Sequence, residues 1–136
     1  MNENFLKNFK VNICRDHIGG LLGEAILKFF LKEKLIIKNE NDLYDLTDKG
    51  LEDLELIGID IEELRFSNNK LINICIEKEN GILFEHIGSE LGLLIYERFF
   101  ELKWLKKFDD ENVYLTKSGM EGLKSLGIRI KRYNFA

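Results

Sequence analysis

His17-Ile18-Gly19-Gly20-Leu21-Leu22-Gly23 recurs about 69 positions later as His86-Ile87-Gly88-Ser89-Glu90-Leu91-Gly92. From there the match runs on without a gap. Phe30 falls on Phe99, Leu46-Thr47 on Leu115-Thr116, Gly50 on Gly119, and Gly58-Ile59 on Gly127-Ile128. About 17 of the 45 aligned pairs are identical as far as Ile61 on Ile130, which marks an internal repeat. Upstream, Asn12-Ile13-Cys14 resembles Asn73-Ile74-Cys75, but eight further residues separate the second cysteine from its histidine. The chain therefore reads as two copies of one unit, roughly 10–65 and 70–132. The corresponding division is 1–66 and 67–136, either as two lobes or packed as one compact domain.

Each copy carries the same periodicities. Phe9 to Cys14 and Lys70 to Ile76 alternate apolar and polar residues, as a short strand does. Ile18, Leu21, Leu22, Ala25, Ile26, Phe29 and Phe30 then fall at three- and four-residue steps, on one helical face. The second copy repeats this stripe with Ile87, Leu91, Leu94, Ile95, Phe99 and Leu102. Two short apolar runs around polar residues 39–42, and again around 109–112, predict β-hairpins. Thr47 and Thr116 stand where an N-cap is wanted, and the helices they open end at Gly58 and Gly127, suited to a left-handed C-terminal residue. The expected fold is α+β, a tandem repeat of strand–helix–β-hairpin–helix. Gly19, Gly23, Gly88 and Gly92 lie inside the predicted helices, where glycine costs up to about 1 kcal/mol against alanine. Close helix–helix packing is the expected reason, with a ligand lying on that surface as the alternative.

Composition excludes several classes. Of 136 residues, 45% are apolar and 32% charged, the balance of an ordinary globular chain. No apolar run approaches the roughly 18 residues of a membrane span, and Met1-Asn2-Glu3-Asn4 does not open a signal peptide. Two cysteines make no disulfide scaffold, so reduced thiols and a cytoplasmic location are expected. A net charge of −4 with a pI near 5.3 argues against an unaided grip on nucleic acid.

The order Cys14-x-x-His17-Ile-Gly-x-x-Leu-Gly, Leu46-Thr-x-x-Gly50, Leu56-Ile-Gly-Ile-Asp60, Cys75, then His86-Ile-Gly-x-x-Leu-Gly and Leu115-Thr-x-x-Gly119 resembles one particular arrangement. It is similar to the C-terminal duplicated region of ArsR-like winged helix-turn-helix transcriptional regulators, from about Ile13 to Ile130. The resemblance implies two winged-helix-like units with pseudo-twofold symmetry, and a role in effector sensing or dimerisation. Only eleven residues precede Asn12, so the family's N-terminal DNA-binding domain is expected to be absent. Where the family pattern has an Asp-Trp pair after the cysteine, this chain reads Glu77-Lys78-Glu79.

A groove-reading helix and its wing present cations to phosphate. Here the second copy offers Glu85, Glu90, Glu97 and Glu101 against Arg98 and Lys103, and both wing tips are acidic, with Glu40, Asp42, Asp109, Asp110 and Glu111. Charge thus argues against direct DNA binding. The basic cluster Lys124, Arg129, Lys131 and Arg132 reads as a solvated tail. A winged-helix DNA-binding protein acting in transcription regulation remains an alternative function.

The four residues Cys14, His17, Cys75 and His86 are the chain's whole complement of cysteine and histidine, one of each per copy. They are the candidate ligand-binding residues, lining a groove between repeats for an unidentified small effector. No cofactor is required by this reading. Zinc or another thiophilic metal, bound by a Cys₂His₂ set in a metal-sensing protein, is a further alternative; structural burial is the bland one. Neither cysteine is accompanied by a recognisable base and oxyanion donor, so an enzyme is not expected. Leu93, Tyr96 and Phe100 form a second apolar stripe, read as a contact between repeats or as a dimer interface with a second copy or a partner regulator chain.

Overall fold

The computed structural model describes residues 5–62 and 71–130, and only the backbone of 5–8 and Leu71. The 66/67 division, Lys70, Lys131 and Arg132 lie outside the described residues. The protein is α+β. Strands β1 (Phe5–Val11), β2 (Ile13–Cys14) and β3 (His17–Ile18) precede helix α1 (Gly20–Lys32). Strands β4 (Ile36–Lys38) and β5 (Tyr44–Leu46) form the first wing-like hairpin and lead into α2 (Asp48–Leu56). The second half repeats the order: β6 (Leu71–Ile72), β7 (Ile74–Glu79), β8 (Ile82–Ile87), α3 (Ser89–Glu101), β9 (Leu105–Lys107), β10 (Val113–Thr116) and α4 (Lys117–Leu126). None of the described helices is long and apolar enough to cross a membrane.

Strand pairing crosses between the halves. β1 adds to the second hairpin, in the order β1-β10-β9, with Val11 opposite Val113. Reciprocally, β6 adds to the first, in the order β4-β5-β6, with Tyr44 opposite Ile72. Each half therefore completes the other's three-stranded antiparallel sheet.

The predicted first strands each divide. Phe9 to Cys14 breaks at Asn12, and a hairpin not expected from the periodicity intervenes before each long helix. In the first half the turn is Arg15-Asp16, with Arg15 at φ 60°. In the second it is Asn80-Gly81, at φ 53° and 81°, the positive pair whose twist suits a two-residue hairpin. The eight extra residues of the second copy are four on each arm, an even number. They lengthen the hairpin and leave Cys75 opposite His86, as Cys14 is opposite His17. Both histidines, and Glu85, are thus strand residues rather than members of a helix's first turn.

The α1 and α3 stripes are buried, including Leu22, Ile26 and Phe30 in one and Leu91, Ile95 and Phe99 in the other. Phe29 is half-buried at the edge of the same core. Thr47 and Thr116 cap α2 and α4 in matching fashion. Each hydroxyl accepts from a glycine N–H, Gly50 at 3.0 Å and Gly119 at 2.9 Å. Each also donates to the carbonyl of Lys34 or Lys103, both at 2.7 Å. Gly58 (φ 89°) and Gly127 (φ 92°) close these helices as expected. The long helices end the same way without glycine: the N–H of Leu35 returns to Phe30 and that of Trp104 to Phe99, with Lys34 and Lys103 held at φ 58° and 63°.

Candidate functional site

Cys75 and His86 face each other across the long hairpin, and alternation along the strands puts Cys75, Glu77, Phe84 and His86 on one face. That face packs on α1, whereas the short hairpin carrying His17 packs on α3. Ligating atoms of His17, Cys75 and His86 consequently lie within 4.8 Å of one another. The two imidazole rings are 5.9 Å apart and tilted by 50°. Cys14, opposite His17 on β2, stands beside this cluster but outside it.

The repeated glycines make this approach feasible. A Cβ on Gly92 would lie 2.8 Å from His17 Cδ2, and one on Gly88 2.6 Å from Cys75 Sγ. A Cβ on Gly23 would lie 2.9 Å from His86 Cβ. A Cβ on Gly23 or Gly92 would also clash with a strand carbonyl, that of Ile18 or Ile87. The atoms nearest these glycines belong to strands, not to another helix, so the expected helix–helix packing gives way to helix–hairpin packing.

Burial sets the electrostatics. His86 is 0% exposed, and its removal from water pushes its pKa below the ordinary histidine value, opposed by the nearby Glu77 carboxylate. The imidazole is therefore neutral near pH 7. Glu77 Oε1 is 2.8 Å from His86 Nδ1, whereas His86 Nε2 is buried without a hydrogen-bond partner. Nδ1 of His17 is likewise buried and unpartnered. The same Glu77 oxygen accepts the N–H of Gly20 at 2.9 Å, placing a carboxylate at the start of α1, where the helix dipole favours it. Burial raises the Cys14 thiol pKa, and the neighbouring Cys75 and Glu77 raise it further, against Arg15. These groups can offer a soft sulfur and imidazole nitrogens to a ligand; Cys14 and Cys75 are free thiols.

In the sequence Glu77 stands out only as part of the segment that departs from the family pattern, not as a candidate site residue. Its signal was the alternation Cys75-Ile76-Glu77, which puts both polar groups on one strand face. The proposed interface residues Leu93, Tyr96 and Phe100 are half-buried, with the Tyr96 and Phe100 rings 5.0 Å apart edge to face against the core. At the second wing tip Asp109 turns its carboxylate inward, accepting from the backbone N–H groups of Glu111 and Asn112. No protein-family model, curated protein or solved structure matches this chain.

Proposed function

We propose that this chain is a non-enzymatic regulatory binding module: two winged-helix-like units in tandem, related by a pseudo-twofold axis, acting as ArsR-like effector-sensing or dimerisation regions do. The observation that carries this reading is the reciprocal crossing of strands. His17 lies against α3 and His86 against α1, each the helix of the opposite half, and Cys75 joins them. A ligand held there would touch both halves at once, and its binding energy would bear on how they pack. The half-buried Leu93, Tyr96 and Phe100 offer an apolar patch for a second copy or a partner regulator chain.

A winged-helix DNA-binding protein is the second reading, favoured by the exposed Lys103, Lys106 and Lys117 grouped around the start of α4. A gel shift with mixed-sequence duplex at low salt separates the two. The module reading expects no retained duplex. Tight binding that weakens steeply with added salt would replace it with the second reading.

A further inference from the structure

We propose that His17, Cys75 and His86 bind one thiophilic divalent metal ion of the zinc class, with Glu77 as the positioning residue behind His86. This rests on the reading above that the junction between the halves is a ligand site, and names the ligand.

Two independent observations point to an ion. The first is convergence: three ligating atoms, drawn from two hairpins about 60 residues apart in sequence, sit within 4.8 Å of one another. Tetrahedral zinc, with bonds of about 2.0–2.3 Å, sets its ligands roughly 3.3–3.8 Å apart. Side-chain adjustment of about 1 Å thus closes the set. The second is polar dissatisfaction. Nε2 of His86, in a residue that is 0% exposed, has no hydrogen-bond partner, and His17 Nδ1 is buried in the same condition. Buried polar groups normally find partners, and a cation among them would supply the missing one.

The donor chemistry selects the metal. One thiolate and two neutral imidazoles suit zinc and its neighbours; calcium and magnesium prefer oxygen. Nδ1 of His86 is turned toward Glu77, which leaves Nε2 for the ion. A carboxylate behind a ligating imidazole fixes its tautomer and raises its basicity. The Cys14 thiol, opposite His17, is next in line for the fourth position. Binding converts the Cys75 thiol to thiolate and releases its proton to solvent.

The test uses the full chain, reduced and stripped with chelator, then titrated with cobalt(II) or zinc alone. One equivalent of cobalt should produce the intense visible bands of a tetrahedral ion and a thiolate-to-cobalt charge-transfer band, with proton release on zinc addition. Cys75→Ser should weaken the charge-transfer band, Cys75→Ser combined with Cys14→Ser should abolish it, and His17→Asn should weaken binding by about 100-fold or more. Glu77→Gln should retain the thiolate band with affinity down about 10–100-fold. Circular dichroism of the stripped variants shows which remain folded, and Glu77→Gln is the informative one should the others not be. Absence of a thiolate band in the wild-type chain, or unchanged affinity in folded Cys75→Ser or Glu77→Gln, would overturn the proposal. Those outcomes leave the module reading intact, because that reading fails on duplex binding instead.

Discussion

Lys34 and Lys103 occupy the left-handed position after α1 and α3, a conformation that costs an L-residue roughly 1–2 kcal/mol. Both side chains are exposed, so nothing is lost by removing them. Lys103→Gly should raise stability by about 1 kcal/mol, seen as a higher urea midpoint at unchanged slope. Gly92→Ala should act in the opposite sense. Its Cβ would meet a backbone carbonyl as well as His17, so the hairpin must move, and a loss of about 2 kcal/mol or more is expected in the same measurement. The repeated glycines were visible in the sequence as positions where something comes close. What comes close was not, because a strand carbonyl and a histidine from the other half belong to no local pattern.

Among the elements, the helices and the hairpins that follow α1 and α3 are the most legible, since their apolar spacing, threonine caps and terminal glycines all agree. The hairpins before α1 and α3 were not read, for two different reasons. Glu79-Asn80-Gly81-Ile82 holds a strong two-residue turn signal, which apolar–polar alternation alone does not reveal. Cys14-Arg15-Asp16-His17 has no glycine or asparagine, although its turn holds Arg15 at φ 60°. The second wing tip carries a pH-dependent prediction. The Glu111 backbone N–H, then the Asn112 side chain, hold the Asp109 carboxyl below its ordinary range. A depressed folded pKa means the contribution is present above the unfolded value of about 3.9 and is lost as pH falls through the folded one. The amides of Glu111 and Asn112 should therefore shift together by NMR in that acid range, and stop doing so in Asp109→Asn.

For the molecule as a whole, the exchange of strands is accompanied by exchanged side chains. Arg98 of α3 donates Nε to the Ile57 carbonyl at 2.6 Å and lies under Gly58, while Phe29 of α1 reaches Gly127. Each hairpin that follows a long helix takes its third strand from the other half. Residues 1–66 and 67–136 made separately should each lack the circular dichroism of the full chain, and mixing them should restore it. Native-like spectra from either half alone would show that the crossing is dispensable. The repeat itself was plain in the sequence. Its interlocking was not, because identical copies can pair within or between themselves with the same residues.

Pairing of Val11 with Val113 also imposes an order of events on synthesis. At about 5–20 residues per second, roughly a hundred residues must leave the ribosome before the first strand meets its neighbour, an interval of about 5–20 s. Throughout that time β1 carries a row of unpaired backbone donors and acceptors, so closure of this sheet waits for β10.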